Sequence, residues 1–338
     1  DFSNRCKQFF ADPKGGISPP TVFDGQQYSQ ICQTLDSKKG YKYATHYDTK
    51  NKIPVYSAYV YDGRESLDRN CMWNIEPQVC FILNYINKQG YDLLNKTNDL
   101  AKRGMYQALN KDYAGSSYHK GHLYPVFHTN TQSCADATFT LTNAAPQDPS
   151  LNRGQWRKME KDMAQWLKTK CLPNRAYMVT GVVPSSDPVV TVKNSTVNVP
   201  SHFWSAYCCL DNNKKPLMSR GYLVPNSNQE PQNMTVTDLD VKLSKLYSTN
   251  FMVFGGKCEA EVRVRVMVPR CTTRCQKLPN PRLVSRCRPV CRRIQRKLEL
   301  VEQRRAGKGG RRQYYLFNSY SFIQLADIVT ASSRLFKL

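Results

Sequence analysis

Tyr118-His119-Lys120-Gly121-His122-Leu123-Tyr124-Pro125 is the stretch on which the reading of this chain turns. Two more pieces follow it. Thr138-Phe139-Thr140-Leu141-Thr142-Asn143-Ala144-Ala145-Pro146-Gln147 opens on a β-branched and aromatic run, which predicts a strand over 138–142. Leu151-Asn152-Arg153-Gly154-Gln155-Trp156 then leads into a run ending at Lys170, in which Trp156, Met159, Met163, Trp166 and Leu167 recur at helical spacing. Those five predict one apolar helix face packed in a core. Taken singly, His122 reads as an ordinary polar histidine and Asn152 as a helix N-cap. Their order gives them meaning: strand, loop, helix start, with Asn152 thirty residues after His122.

In that order and spacing the three pieces resemble the DNA/RNA non-specific endonucleases, the His-Me finger (ββα-metal) nucleases marked by Asp-Arg-Gly-His. Ile31-Cys32-Gln33, the stretch Ile53-Pro54-Val55-Tyr56-Ser57-Ala58 and Thr138–Asn143 make the likeness closest to the vertebrate endonuclease domain-containing 1 type, over residues 1–258. The resemblance implies an α+β fold with a mixed or antiparallel sheet core carrying the ββα-metal motif. It implies that His122 is the general base that takes a proton from the attacking water. Asn152 would give a carbonyl oxygen to one hydrated Mg²⁺, with Glu160 on the same helix supporting the ion's waters. Lys120 stands where the family has a phosphate-binding Arg, and Asn143 and Gln147 match positions that shape the site. Arg153 and Arg157 join Lys120 as nucleic-acid contacts. The implied reaction leaves 5′-phosphates. Two residues depart from the motif. Lys120 keeps the charge of Arg but loses its bidentate fork. His119 replaces the family's Asp, which removes an anion and puts a second imidazole near His122. Both departures point toward reduced activity.

The 338 residues suffice for one large domain or two of ordinary size, and a hydrophobic share of 40% suffices for a packed core. No uncharged apolar run approaches the roughly 18–20 residues of a membrane span. The chain begins at Asp1, as a mature protein would after loss of a signal peptide. Thirteen cysteines without any Cys-x-x-Cys pair predict a disulfide framework in an oxidising compartment. Sequons at Asn95, Asn194 and Asn233 agree with a secreted glycoprotein. His119, His122, His128 and Cys134 fit no zinc spacing. A cysteine–histidine hydrolase has no motif here.

Along the chain, Cys6 and Cys32 bracket a Pro/Gly-rich loop and are expected to pair. Residues 41–62 predict a β-hairpin turning at Asp48–Lys52. Cys71 and Cys80 are expected to close a short loop, and 86–110 reads as mostly helical. Strands are expected over 177–184, 203–209 and 251–254, and a short helix over 236–248. Cys258 closes this domain.

Residues 259–338 hold 19 Lys and Arg against 5 Asp and Glu, so much of the net charge of +23 lies in the tail. Two Cys-x3-Cys pairs, Cys271 with Cys275 and Cys287 with Cys291, predict a small disulfide-stapled extension. Arg292, Arg293, Arg311 and Arg312 lie in it, next to the aromatic segment 314–322. Such charge favours a polyanion: DNA or RNA by counterion release, an anionic glycan or a membrane surface. The odd cysteine or the extension also permits a homo-oligomer. Three functions follow, namely a Mg²⁺-dependent endonuclease acting on DNA and RNA, a nuclease-derived polyanion-binding protein with weak or no catalysis, and a cationic toxin or antimicrobial.

Overall fold

The computed structural model describes residues 2–259 apart from 36–39, 66, 69–71, 77–103 and 174. The chain divides after Val262, and the described residues lie in the first unit. In chain order, α1 (Phe2–Arg5) precedes β1 (Tyr28–Gln33), β2 (Tyr43–Asp48) and β3 (Ile53–Tyr61). Next come α2 (Asn110–Tyr113), β4 (His119–His122), α3 (Gln132–Thr138), β5 (Ala144–Gln147), α4 (Pro149–Arg153) and α5 (Gln155–Lys170). The chain then forms β6 (Arg175–Val183), β7 (His202–Leu210), β8 (Pro216–Pro225), β9 (Gln232–Met234) and α6 (Val236–Leu246).

The expected hairpin is β2–β3, paired antiparallel. Its turn forms because Asp48 Oδ1 accepts from the backbone N–H groups of Lys50 and Asn51, an Asx-type cap on a reversing chain. Among the described residues, seven strands run antiparallel in the order β1-β2-β3-β6-β7-β8-β9, and β4–β5 form a separate two-stranded ribbon. The ribbon and α5 are thus one long insertion between two adjacent inner strands of the sheet, β3 and β6.

Both faces of the sheet are covered, so its inner strands are apolar on both sides. On one face Tyr59, Tyr61, Met178 and Phe203 share a core with Trp156, Met159, Met163 and Leu167 of α5. On the other, Tyr56, Val179 and Trp204 pack with Phe2, Phe10, Leu239, Leu243 and Phe251. Each such side chain contributes about 2 kcal/mol by leaving water. The adjacent Cys208 and Cys209 illustrate the alternation along β7. Cys209 turns to the α5 face and bonds Cys171, while Cys208 turns to the other face and bonds Cys258. Cys6–Cys32 is formed as expected.

Four sequence expectations need correction. The strand expected over 138–142 is the end of α3 followed by a 3₁₀ turn, Leu141–Asn143. Thr138 and Thr140 turn their hydroxyls back to the carbonyls of Ala135 and Ala137, which favours a turn over a ladder. The strand begins only at Ala144. Residues 251–254 are not a strand, because the N–H groups of Phe251 and Val253 are taken by Ser244 Oγ and Asp240 Oδ1 of α6. Asn152 is not an N-cap. Asp148 caps α4 and Asn152 lies inside it. Trp166 is 49% exposed, at the margin of the α5 stripe, with Lys170 over its ring. The strands β1, β8 and β9 had no clear sequence signal. Cys71, Cys80, most of the helix expected over 86–110, and the extension with Cys271, Cys275, Cys287 and Cys291 lie outside the described residues.

Candidate functional site

Gly121 lets β4 lie close against β5. A Cβ there would stand 2.5 Å from Gln147 Oε1 and 2.7 Å from Gln147 Cβ. The register sets His119 opposite Gln147 and His122 opposite Ala144. Immediately after β5, Asp148 caps α4 through the N–H groups of Ser150 and Leu151. The Ser150 hydroxyl, with those N–H groups, holds its carboxyl below the usual carboxylate range, against the upward push of burial. Gly154 then breaks the helix between α4 and α5, where a Cβ would lie 2.4 Å from Ser150 O. Asn226 fixes the whole turn to the main sheet. Its amide donates to Pro146 O and Pro200 O, and its carbonyl accepts from Asp148 N–H.

Strand alternation sorts the motif into two groups. On the face of His119 and Gly121, Asn152 Nδ2 donates to Gln147 Oε1, which turns Asn152 Oδ1 toward His119 Nδ1 at 3.3 Å. Gln147 is fully buried, and its Nε2 has no hydrogen-bond partner among the described residues. On the other face, the His122 ring packs at 4.6 Å on Trp73 and edge-on to Phe139 at 4.8 Å. Lys120 Nζ lies 5.5 Å from the ring centroids of both Trp73 and Tyr113. Burial there lowers the lysine pKa, so an anion meeting this ammonium finds it already partly stripped of water. Trp73 touches both His122 and Lys120, and no feature of the sequence marked it.

Asn143, which matches a position that shapes the site, spends its amide within the protein. It is fully buried, with Oδ1 accepting from Ser57 Oγ and Tyr124 N–H, and Nδ2 donating to Tyr124 O and Thr138 O. Its four bonds join β3, the end of α3 and the turn after His122, and occupy every polar site of the amide. Glu160 is partly exposed on α5, and its backbone carbonyl accepts from His128 Nε2. A carbonyl can only accept, so His128 carries its proton on Nε2 and accepts a hydrogen bond from the Tyr59 hydroxyl at Nδ1, 2.9 Å away. His128 is therefore a strut between β3 and α5. Among the described residues His119, His122, His128 and Cys134 form no metal group.

Arg153 at the end of α4 and Arg157 in the first turn of α5 are exposed, and Asn194 and Asn233 of the sequons are exposed elsewhere on the surface. Asn95, Arg292, Arg293, Arg311 and Arg312 lie outside the described residues.

Residues 26–256 match the DNA/RNA non-specific endonuclease family. The chain belongs to that family. The endonuclease domain-containing 1 protein of Homo sapiens is 30% identical over 260 residues, covering 75% of this chain and 47% of that protein. The Mus musculus protein is 31% identical over 206 residues, 61% of this chain and 38% of its own. Mitochondrial endonuclease G of Bos taurus is 31% identical over 132 residues, 36% of this chain and 43% of that protein. The chain thus spans less than half the length of these relatives. A crystal structure of an EndoG/EndoGI complex aligns with a TM-score of 0.42 at 20% identity, covering 63% of this chain and 83% of that one.

As a member of this family, the chain carries the ββα unit as β4, β5 and the α4–α5 pair, with His122 on the first strand and Asn152 on the helical part. The family implies a divalent cation, and the donor set fits one. Asn152 offers an amide oxygen whose orientation Gln147 fixes, a hard donor of the kind such an ion takes. No three His, Cys, Asp or Glu side chains gather among the described residues, so such an ion would keep most of its waters.

Proposed function

We propose that this chain is a secreted, divalent-cation-dependent, sequence-non-specific endonuclease that hydrolyses DNA and RNA phosphodiesters. The observation that carries the reading is the ββα frame, which holds His122 on one strand and presents Asn152 Oδ1 from the helix that follows. A phosphodiester at the edge of β4 would lie between the two groups. His122 takes the proton of the attacking water, its ring held by Trp73 and Phe139. Lys120, partly desolvated between Trp73 and Tyr113, meets a phosphate oxygen with a single charge-assisted hydrogen bond. Asn152 would hold the cation, with Glu160 beside it on the helical side. When bound, a divalent ion, Mg²⁺ by the family's pattern, neutralises charge on the phosphoryl and leaving oxygens. Exposed Arg153 and Arg157 bind the strand backbone without reading bases. Three disulfides among the described residues and exposed Asn194 and Asn233 support an oxidising, glycosylating route out of the cell.

Digestion of plasmid and RNA by the full chain tests this. Nicking with Mg²⁺ or Mn²⁺ that stops in EDTA, and falls by about 100-fold or more in His122→Ala, is the expected result. Tight retention of uncut nucleic acid under every condition would overturn it. The net charge of +23 would then favour a nuclease-derived polyanion-binding protein.

A further inference from the structure

We infer that His119 is a second protein ligand, through Nδ1, to the ion held by Asn152 Oδ1, and that it moves the preference of the site from Mg²⁺ to Mn²⁺, Co²⁺ or Zn²⁺. This deepens the metal-dependent reading above and rests on it. His119 stands in place of the aspartate of the Asp-Arg-Gly-His motif, so a ring nitrogen stands beside Asn152 where the motif carries a carboxylate.

The spacing suits two ligands on one ion. His119 Nδ1 and Asn152 Oδ1 are 3.3 Å apart. Two ligand atoms about 2.1 Å from one ion are separated by about 3.0 Å at a right angle and about 3.4 Å at the tetrahedral angle. The observed distance falls inside that interval, so the two donor atoms already stand at the separation of two ligands on one ion.

Both donors are held from behind. Asn152 cannot turn its oxygen away without giving up the bond from Nδ2 to Gln147 Oε1. His119 is delivered by β4 in register with Gln147 itself, so one buried side chain sets both positions. The contact also has two forms. With the ring proton on Nδ1, His119 donates to Asn152 Oδ1, and the pair holds its shape without an ion. With the proton on Nε2, a nitrogen lone pair faces an oxygen lone pair, an arrangement that a cation between them relieves. The Asp148 carboxylate is near enough to His119 for their charges to interact, which adds negative potential beside the site.

The choice of ion follows from ligand chemistry. Mg²⁺ prefers oxygen and gives up water reluctantly, whereas imidazole nitrogen suits first-row transition ions and zinc. One nitrogen ligand added to a water-rich site therefore discriminates between them.

The test uses the full chain without nucleic acid. Pulsed electron paramagnetic resonance of the Mn²⁺-loaded protein reads ¹⁴N coupling from a bound imidazole, and calorimetric titration compares Mn²⁺ with Mg²⁺. Thermal melts confirm that His119→Asp and Asn152→Ala are folded. The expected result is ¹⁴N coupling in the wild type that is absent in His119→Asp. That variant should also move the affinity ratio at least about tenfold toward Mg²⁺. Asn152→Ala weakens both ions. Asn152-dependent Mn²⁺ binding without ¹⁴N coupling, with the ratio unchanged in His119→Asp, would remove His119 as a ligand and leave the metal-dependent reading intact. Failure of both ions to bind would remove the two together.

Discussion

Asn143 and Gln147 carry the same amide group to different ends. Gln147 spends its oxygen on Asn152 and keeps a buried donor in reserve, while Asn143 spends its whole amide on four bonds within the protein. Removing Asn143 leaves Ser57 Oγ, Tyr124 N–H and two carbonyls buried without it. Asn143→Ala is therefore expected to lower stability by about 3 kcal/mol, measured as a drop in the urea midpoint. Activity, where the fold survives, should fall only in step with the folded fraction. A variant with wild-type stability and lost turnover would show instead that Asn143 meets the substrate. Gly121 belongs to the same argument, because any side chain there pushes on Gln147 and, through it, on Asn152.

The helix α5 carries Glu160 and the basic entrance of the site, and three devices hold it against the sheet. Tyr61 donates directly to Ala164 O, and Tyr59 reaches Glu160 O through His128. Cys171, just beyond the last turn, is bonded to Cys209 of β7. The two tyrosines and His128 fix the middle of the helix, and the disulfide fixes its end. That disulfide closes a loop of 38 residues, for which chain entropy gives about 4 kcal/mol. Replacing Cys171 and Cys209 together by Ser should lower stability by about that amount in urea unfolding. Hydrogen exchange should quicken first in the C-terminal turns of α5. Uniform loss of protection across the sheet would show that the bridge stabilises the molecule globally and has no special effect on the helix.

At the level of the whole molecule, the buried His46 and His128 and the partly buried Asp240 make stability vary with pH. Burial lowers the pKa of His46 and of His128 to about 4 in each case. His46 accepts from Phe23 N–H at Nε2, where a proton could not be added without losing that bond. Above pH 6.5 both states of each histidine are neutral. Between 6.5 and 4 the unfolded chain takes up protons that the folded one refuses, so stability is lost as pH falls through that window. Each histidine contributes roughly 3 kcal/mol to that loss. Asp240 acts in the opposite sense. Burial raises its pKa to about 7, so the unfolded chain gives up that proton from near pH 4 upward while the folded chain keeps it, and stability is lost as pH rises. Two histidines outweigh one aspartate, so urea midpoints should fall from pH 6.5 to pH 4. His46→Gln, which keeps an acceptor for Phe23, should flatten that fall. Asp240→Asn should gain stability at pH 7 and none at pH 4. Equal pH profiles for all three proteins would show that these groups are not what the acid sensitivity reports.

Much of the site was legible in the chain because local chemistry carried it. The His-Lys-Gly-His run, the helical spacing of Trp156, Met159, Met163 and Leu167, and the turn at Asp48 each depend on neighbours a few residues away, and each stands where it was read. What the sequence left open depends on contacts between distant residues. Thr138–Thr142 looks like a strand until its hydroxyls and Asn143 find partners that make it a turn. Trp73 gave no sign that it would touch both His122 and Lys120, because its segment meets them only after the chain has folded back. Adjacent cysteines at 208 and 209 could not be paired from spacing, since strand alternation sends them to opposite faces of the sheet. His119 was visible as a departure from a motif. Its position 3.3 Å from Asn152 Oδ1 is set by the register of β4 on β5 and by the Gln147 side chain behind both.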